Sequence, residues 1–340
     1  MTNKTLKVGI VGLGRMGKSH ARDLAWNTRH CELVSACSPL RAELDWAREE
    51  LGLSRLHEDF DAFLHEPGLD AVALVTPTSL HADQVIAAIQ AGKHVFCEKP
   101  LALNLDDCER VQEVAQRHPK QVLMIGFVRR FDPSYVSAKA HIDAGVVGRP
   151  FLVRSQTCDK LDPSGFFVRF APTSGGLFMD CSVHDIDVAR WMLGNPKALR
   201  VFASGSIAVH EDLAPIPDID NGMAIIEFEG GARAVLYASR TYAMGMESSS
   251  EIIGTDGKLL VGAGAARDRV EIGDAHGVRR LALDDFLERF KEAFRIEMQA
   301  FVDACVAARA LPMTLDDAVQ ATRIGLALTR SLRSGMPEAV

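Results

Sequence analysis

The chain has 340 residues, of which 47% are hydrophobic and 24% charged, and its 38 Lys and Arg against 45 Asp and Glu give a formal net charge of −7. Such values are ordinary for a globular protein of two domains, and the absence of a Lys/Arg-rich run argues against a nucleic-acid or anionic-membrane surface. No apolar stretch approaches the roughly 18–20 residues that a membrane span needs, and the N-terminal run is too short for a signal peptide. The seven cysteines are odd in number and contain no C-x-x-C pair, which predicts reduced thiols in a cytoplasmic protein.

Predicted strands and helices alternate through the first 127 residues. The run Ala71–Val75 is almost purely apolar, as expected of a parallel strand that is covered on both faces. The order predicts an α/β domain over 1–127, with a doubly wound parallel sheet and helices on both faces. The predicted strands are Lys7–Val11, Leu33–Cys37, Ala71–Val75, Val95–Cys97 and Val122–Phe127, and the helices are Ser19–Trp26, Arg41–Leu51, His81–Ala91 and Leu105–His118.

The alternation stops near residue 128, and several strands with close turns follow. Period-2 patterns predict an α+β domain over 128–340, with a largely antiparallel open sheet and helices on one face. The predicted strands are Phe151–Thr157, Leu199–Val209, Asn221–Phe228, Ala232–Thr241, Glu251–Ile253, Lys258–Val261 and Val270–Ile272, and the helices are Asp180–Leu193, Leu287–Arg309 and Leu315–Arg333.

A glycine-rich turn follows the first predicted strand directly. Residues 12–17 read GLGRMG, which matches the G-x-G-x-x-G pattern of dinucleotide-binding domains, and a predicted helix follows. In that context Gly12 makes the tight turn, Gly14 lets the backbone approach a pyrophosphate, and Gly17 lets the helix pack on the strand. The turn, including Arg15 and Met16, is therefore the predicted cofactor-binding loop of a Rossmann domain. The alternative is a glycine-rich turn that binds no ligand.

The residue after the second strand bears on the choice between NAD and NADP. The pattern expects an acid there to bind the ribose 2′-hydroxyl, but the chain has Ser38, followed by Arg41. With no carboxylate expected there, Ser38 can hydrogen-bond a 2′-phosphate and Arg41 can pair with it. We expect NADP or NAD as cofactor, with a modest preference for NADP. The alternative is that Ser38 binds the plain ribose and Arg41 is a solvated helix residue.

Three residues carry the predicted chemistry. Lys99, in the sequence Glu98-Lys99-Pro100, lies at the carboxyl end of a predicted strand, where doubly wound sheets hold ligands. Asp180 and His184 are four residues apart on a predicted helix, so they share one face and suit proton transfer. We expect all three to converge on one pocket facing the dinucleotide crevice. The alternatives are that Lys99 is an ordinary surface lysine and that Asp180 and His184 have structural roles. No metal site is predicted, because no third His or Cys lies at a spacing typical of metal ligands.

These segments resemble the glucose–fructose oxidoreductase/inositol dehydrogenase family of NAD(P)-dependent dehydrogenases, over nearly the whole chain. The E-K-P and G-G-x-x-x-D-x-x-x-H-D-x-D elements are more specific than the glycine loop. The amino-acid sequence is most similar to the inositol 2-dehydrogenase branch of the family. The matching stretches are VGIVGLGRMG (8–17), VTPTSLHAD (75–83), AGKHVFCEKPLA (91–102), GFVRRFDPSY (126–135), GGLFMDCSVHDIDVARWMLG (175–194), EIIGTDGKL (251–259) and FRIEMQAFVDAC (294–305).

The resemblance implies roles for individual residues. Lys99 would contact substrate and nicotinamide, Asp180 and His184 would be the catalytic pair with His184 as acid/base, and Arg129 would lie near the substrate. The residues implied beside the cofactor are Glu98, Thr76, Pro77 and His81. Further polar candidates for the substrate pocket, each as readily an ordinary surface residue, are Asp159, Lys160, Arg169 and Tyr242. Three departures leave the cofactor and the polyol open: Ser38 in place of an aspartate, Phe294 in place of a tyrosine, and Cys158-Asp159-Lys160.

Together these features predict hydride transfer between a nicotinamide and a secondary hydroxyl of a cyclic polyol or sugar. The alternatives are a non-catalytic, dinucleotide-binding sugar sensor and a dehydrogenase of a small non-sugar diol. Alternation in residues 223–228 and 234–238 places apolar side chains on both faces of the second sheet. An open apolar face often marks an interface, so we expect a homo-oligomer, a dimer or a two-fold symmetric tetramer with this sheet at its centre. The alternative is a monomer in which residues 262–290 cover that face.

Overall fold

The computed structural model describes residues 5–264, 266–268 and 270–340, and the chain divides into two compact units. The first unit comprises Met1–Phe131 and Glu292–Val319, and the second comprises Asp132–Lys291 and Gln320–Val340. The division therefore falls four residues after the expected boundary at 127, and a C-terminal segment joins the first unit. None of the described helices is both long and apolar enough to cross a membrane. No disulfide joins any of the seven cysteines, all of which are described.

The first unit is built on a six-stranded, entirely parallel sheet, as predicted. Its strand order, β3-β2-β1-β4-β5-β6, reverses direction beside β1, and ligands bind at such a switch point in open α/β sheets. The short strand β3 was not predicted, because three residues carry little periodicity. The strands are β1 (Leu6–Val11), β2 (Cys31–Cys37), β3 (Arg55–His57), β4 (Ala71–Leu74), β5 (His94–Glu98) and β6 (Leu123–Gly126).

Helices of the first unit connect these strands and cover the sheet. The first begins at Arg15, four residues before the predicted start at Ser19, and ends at Arg22, after which residues 23–27 continue as a π-helical turn. The fifth begins where the Asn104 side chain accepts a hydrogen bond from the backbone N–H of Asp107, a regular N-cap. The helices are α1 (Arg15–Arg22), α2 (Arg41–Leu51), α3 (Phe60–Leu64), α4 (His81–Gln90) and α5 (Leu105–Arg117).

Side-chain contacts explain why residues 292–319 belong to the first unit. The Phe301 ring packs edge-on against Phe96 of β5, with 6.0 Å between the ring centroids. Arg130 donates hydrogen bonds to the backbone carbonyl of Pro312, at 2.7 Å, and to the carboxylate of Asp317. Sequence reasoning assigned this segment to the second domain, because these contacts join residues far apart in the chain.

The second unit contains a seven-stranded sheet of order β12-β11-β7-β10-β9-β8-β15. Its neighbours are antiparallel except for the β7–β10 pair, so the largely antiparallel open sheet is confirmed. A separate two-stranded hairpin lies in the predicted strand region around residue 271. The strands are β7 (Pro150–Lys160), β8 (Ala198–Ser206), β9 (Asn221–Phe228), β10 (Arg233–Tyr242), β11 (Glu247–Gly254), β12 (Lys258–Val261), β13 (Glu271–Asp274), β14 (Gly277–Arg280) and β15 (Glu338–Ala339).

The remaining helices follow strand β6 in the chain. Two of the predicted helices are each divided into a single turn and a longer helix, so the prediction of one continuous helix over Asp180–Leu193 is wrong. The Ser182 N–H bonds back to the carbonyl of Leu177 and closes the first turn, and the next helix starts from Ser182. The helices are α6 (Pro133–Asp143), α7 (Phe166–Ser174), α8 (Leu177–Asp180), α9 (Val183–Met192), α10 (Phe286–Arg289), α11 (Lys291–Ala307) and α12 (Leu315–Ser334).

Polar side chains fasten α9 to the centre of the second sheet. Asp185 is fully buried, and its two carboxylate oxygens accept hydrogen bonds from Ser155 at 2.6 Å and Thr157 at 2.7 Å, both on β7. Ser155 also contacts Ser250 of β11, whose hydroxyl lies 3.0 Å from that of Tyr135. The network holds the helix that carries His184 in one register on the sheet.

Removing the centre of this network tests its contribution to stability. We expect Asp185→Ala to lower the free energy of unfolding by about 2–4 kcal/mol, because two buried hydroxyls lose a charged acceptor. The measurement is equilibrium unfolding in urea. Asp212→Ala removes an exposed acid of the same unit and should change stability by no more than about 0.5 kcal/mol. Equal effects of the two variants would contradict the assignment.

Candidate active site

The glycine turn has the geometry that a dinucleotide requires. Gly12 has φ +85°, and a Cβ there would lie 2.5 Å from the carbonyl oxygen of Val75, so no other residue fits. A Cβ on Gly17 would lie 2.0 Å from the carbonyl oxygen of Gly12, which confirms that α1 packs closely on the turn. Around Gly14, by contrast, no described atom outside its own residue and its chain neighbours lies within 4 Å of the Cβ position. The backbone there is open to a pyrophosphate at the start of α1.

The prediction that no carboxylate lies beside Ser38 is wrong. Ser38 is buried after β2, and its hydroxyl donates a 2.6 Å hydrogen bond to Glu43 in the first turn of α2. The same oxygen of Glu43 accepts a 3.1 Å bond from the N–H of Leu13 in the glycine turn. Arg41 is exposed and faces Asp45 and Glu58, with N–O distances of 3.2 and 3.7 Å. Sequence analysis missed Glu43 because the dinucleotide-binding pattern places its acid at the position of Ser38, five residues earlier.

His81 joins two loops at the carboxyl ends of β4 and β5. Its ring nitrogens each lie 2.8 Å from a backbone carbonyl, one of Thr76 and the other of Pro100. The ring is buried, and burial lowers the pKa of His81, whereas the two carbonyl acceptors oppose that shift. The Thr76 hydroxyl donates to Gln84 on α4, whereas Pro77 is exposed. His81 therefore positions the loop that follows β4 against the loop that contains Lys99.

Lys99 is half-buried and follows a buried acid on β5. The backbone N–H of Lys99 donates to the Glu98 carboxylate at 3.1 Å, and the other oxygen of Glu98 lies 2.7 Å from Nε2 of the fully buried His20. Burial would raise the pKa of Glu98, but the hydrogen bond and charge of His20 outweigh it and hold that pKa below its usual range. Glu98 is therefore an ionised group behind the lysine, and His20 is its partner on α1.

Glu297 on α11 completes a buried cluster with these two residues. Its ligand-type oxygens lie within 4.8 Å of His20 and Glu98, and neither oxygen has a hydrogen-bond partner among the described residues. Burial and the nearby charge of Glu98 raise the pKa of Glu297 well above its usual value of 4.5. The three groups lie as close together as the ligands of a metal ion do. The cluster connects α1, β5 and α11.

In the second unit, Asp180 and His184 lie on either side of a helix break. Asp180 ends α8, whose first free N–H, that of Leu177, is capped at 2.9 Å by the side chain of Asp218. His184 lies in the first turn of α9, and every other residue of that helix is buried. The half-exposed imidazole is thus the one side chain of α9 that reaches an accessible surface. The argument that Asp180 and His184 share one helix face fails, because the helix is not continuous.

Arg240 of β10 binds Asp180 in the second unit. Its guanidinium forms ion pairs with Asp180 and with Asp159 of β7, and it lies 5.0 Å from the ring centroid of Phe167. Burial alone would lower the pKa of Arg240, but Asp180 and Asp159 outweigh it and raise that pKa. Both carboxylates are therefore fixed in direction by one guanidinium. Sequence reasoning missed Arg240, since nothing in a strand pattern distinguishes it from a surface arginine.

Two family models match most of the chain. The model described as an oxidoreductase family with an NAD-binding Rossmann fold matches residues 6–127, and the GFO/IDH/MocA C-terminal domain matches residues 135–260. The chain belongs to the GFO/IDH/MocA oxidoreductase family. It is an NAD(P)-dependent oxidoreductase that acts on a CH–OH group. The family expectation from the E-K-P and G-G-x-x-x-D-x-x-x-H elements is thereby confirmed.

Relatives of this GFO/IDH/MocA protein cover nearly its full length. A scyllo-inositol 2-dehydrogenase (NAD(+)) of Bacillus subtilis is 37% identical over 98% of this chain and 95% of its own, and a myo-inositol 2-dehydrogenase of Thermotoga maritima is 32% identical over 96% of each. A crystal structure of a Lactobacillus casei scyllo-inositol dehydrogenase with bound NAD(H) and scyllo-inositol is 39% identical, with a TM-score of 0.95 and 99% coverage of both chains.

The remaining predicted site residues have different surroundings. Arg129 is buried in the first unit, in the turn Val128–Phe131 after β6. In the second unit the hydroxyl of Tyr242 donates to Glu247 at 2.8 Å, and that hydrogen bond raises the pKa of Tyr242 to about 12. Lys160 pairs with Asp284 on the surface, and Arg169 is exposed and donates to the carbonyl of Ser164.

The structure brings together the members of each unit's part of the site. The first unit joins the glycine turn, Ser38, the loops after β4 and β5, and Lys99, and the second joins Asp159 to Asp180 through Arg240. That Lys99 converges with Asp180 and His184 on one pocket stays a prediction. The missed residues His20, Glu43, Arg240 and Glu297 are charged or titratable groups whose only sequence signal is their residue type.

The raised pKa of Glu297 predicts a pH-dependent effect on stability. The folded chain holds a proton on Glu297 that the unfolded chain releases above the usual pKa of 4.5, so this group costs stability increasingly as the pH rises above that value. Glu297→Gln keeps the shape without the ionisation. We expect it to raise the melting temperature more at about pH 8 than at about pH 5.

The matched control is Glu292→Gln on the same helix, where the side chain is exposed. Its effect on the melting temperature should be small and independent of pH. A Glu297→Gln effect that is the same at both pH values would show that Glu297 is ionised in the folded chain.

Proposed function

We propose that this protein is an inositol 2-dehydrogenase that uses NAD(H). The two relatives and the bound crystal structure described above are named as inositol dehydrogenases, and two of the three names include NAD. Membership in an oxidoreductase family argues against a non-catalytic sensor. The relatives support an inositol over a small non-sugar diol as the substrate.

The observation that carries the proposal is the exposure pattern of α9. A helix whose other nine residues are buried presents a single titratable side chain, His184, to an accessible surface. Placing a polar ring there costs apolar burial that a leucine or valine would supply, so a chemical role accounts for it better than packing does. The neighbouring Asp180 is paired with Arg240, which fixes the direction of its carboxylate.

Each residue then has a distinct task in the proposed reaction. His184 removes the proton of the reacting hydroxyl, and the carboxylate of Asp180 stabilises the protonated imidazole electrostatically. Lys99 stabilises the developing alkoxide, and Glu98 behind it keeps the local charge balanced. When bound at the glycine turn, the nicotinamide dinucleotide accepts the hydride of the carbinol carbon. Asp159 and Tyr242 are proposed to contribute hydrogen bonds to the polyol hydroxyls.

The preference for NADP that Ser38 and Arg41 suggest is not supported. Arg41 is directed toward Asp45 and Glu58, and the Ser38 hydroxyl is bonded to Glu43. We therefore propose NAD(H) as the preferred cofactor, in agreement with the names of the relatives. An assay with NAD⁺ and NADP⁺ against myo- and scyllo-inositol tests substrate and cofactor together.

Replacing the histidine tests the proposed base. We expect His184→Ala to lower kcat for inositol oxidation by about 10²–10⁴, the usual contribution of a general acid/base, with a smaller effect on the inositol KM. The readout is the initial rate of NADH formation. His141→Ala, at an exposed histidine of α6, should leave kcat unchanged. Near-normal turnover of His184→Ala would show that His184 is not the general base.

We also propose that the protein is a homotetramer that packs through its second sheet. Phe202, Ile225 and Val235 are register neighbours on β8, β9 and β10, and all three are exposed, as is Met223. The opposite face holds the buried residues Ala203, Ala224, Ile226, Ala234 and Leu236. The described residues of 262–290 do not cover these exposed apolar side chains, here called the apolar row. This argues against a monomer in which that segment covers the sheet face.

Solution mass tests this assembly. We expect light scattering at micromolar concentration to give about four times the 37.0 kDa of the chain. Ile225→Lys puts a charge in the middle of the apolar row and should reduce the mass, whereas Val136→Lys, at an exposed position on α6, should not. A wild-type mass of one chain would refute the proposal.

A further inference from the structure

The glycine turn and the end of β2 are joined by a single carboxylate oxygen. Oε2 of Glu43 accepts a hydrogen bond from the N–H of Leu13 at 3.1 Å and from the hydroxyl of Ser38 at 2.6 Å. Leu13 lies between the first two glycines of the turn, and Ser38 occupies the position where dinucleotide-binding domains carry an acid. Glu43 of α2 therefore places a carboxylate beside Ser38, the position at which the pattern expects an acid.

The two bonds leave Glu43 with unused capacity to accept hydrogen bonds. An ionised carboxylate has about four lone-pair sites, and the contacts described use two of them, both on one oxygen. The side chain is half-buried, so its remaining surface is accessible. Ser38 is fully buried and its hydroxyl is committed to Glu43, so Ser38 orients the carboxylate instead of offering a donor to a ligand.

The charges around this carboxylate disfavour an additional phosphate. Arg41, the basic residue at the start of α2, is directed away to Asp45 and Glu58. Arg41 is thus paired with two other acids, and Glu43 places a carboxylate beside Ser38 at this site. A 2′-phosphate would bring about two more negative charges to it, whereas a 2′-hydroxyl brings a hydrogen-bond donor.

We infer that Glu43 is the residue that selects NAD(H) over NADP(H), by accepting the hydrogen bond of the adenosine ribose 2′-hydroxyl and repelling a 2′-phosphate. The inference rests on the proposed use of a nicotinamide dinucleotide, but it concerns a residue outside the pattern by which such selectivity is ordinarily assigned. Ser38 is the positioning residue that holds the Glu43 carboxylate against the glycine turn.

Equilibrium binding without any polyol tests this directly. NADH and NADPH are titrated separately into the wild type and into Glu43→Gln, and nicotinamide fluorescence gives the two dissociation constants. We expect the wild type to bind NADH at least about tenfold more tightly than NADPH. Glu43→Gln should lose about tenfold in NADH affinity and gain in NADPH affinity, so that the ratio of the two constants collapses.

Two further variants separate selection from a structural role. Glu49→Gln makes the same change at an exposed position of α2 and should leave both constants unchanged. Glu43→Asp keeps the charge on a shorter side chain, so it should weaken NADH binding yet still disfavour NADPH. It also serves if Glu43→Gln does not fold, as judged by melting temperature; NADH and NADPH constants of Glu43→Asp that equal those of the wild type would then overturn the inference.

Other outcomes are equally decisive. If Glu43→Gln weakens NADH and NADPH by the same factor, Glu43 only braces the glycine turn and the inference is wrong. A wild type that prefers NADPH overturns it too. Because these ratios involve no substrate, a failure to oxidise inositol would leave the inference standing, and an unchanged ratio with normal inositol oxidation would overturn the inference alone.

Discussion

A buried carboxylate at the carboxyl end of β5 has to be neutralised, and the structure of the first unit depends on how that is done. Glu98 lies directly before Lys99, and it is paired with a histidine from α1 and faced by a glutamic acid from α11. An unpaired charge there would cost several kcal/mol. His20 therefore ties the helix that follows the glycine turn to the strand that carries Lys99, and Glu297 places a C-terminal helix beside the same pair.

This constraint also explains why the two units are not consecutive in the chain. Residues 292–319 belong to the first unit because Glu297 and the aromatic residues of α11 pack against α1 and β5. Phe294 packs edge-on against the ring of His20, the same histidine that holds Glu98. The aromatic face limits how far His20 can rotate, so the hydrogen bond to Glu98 keeps its direction. A position that sequence comparison marked as a departure, Phe294 for tyrosine, thus lies in the support of Lys99.

Sequence patterns correctly predicted the features that depend on residues close together in the chain. The glycine turn, the parallel strands and the placement of Lys99 after a strand all follow from residues that are close in the chain. The predictions failed where a distant group decides the outcome. The helix over Asp180–Leu193 breaks although its composition is helical throughout, and its first turn is capped by Asp218, nearly forty residues later. Arg240 and Glu297 were missed for the same reason, because only the fold shows which charged residues become buried together.

Ser38 shows why a conserved-looking position is an unreliable guide to chemistry. The physical requirement at the ribose is a carboxylate oxygen at one point in space, and the chain can supply it from more than one position. A short side chain at the end of β2 leaves room for a longer one to reach in from the first turn of α2, and the serine hydroxyl then fixes the direction of the longer side chain. Substituting the acid by serine therefore removes the expected residue without removing the charge. What matters for the ligand is where the carboxylate oxygen lies. Residues at different positions in the chain can supply that oxygen.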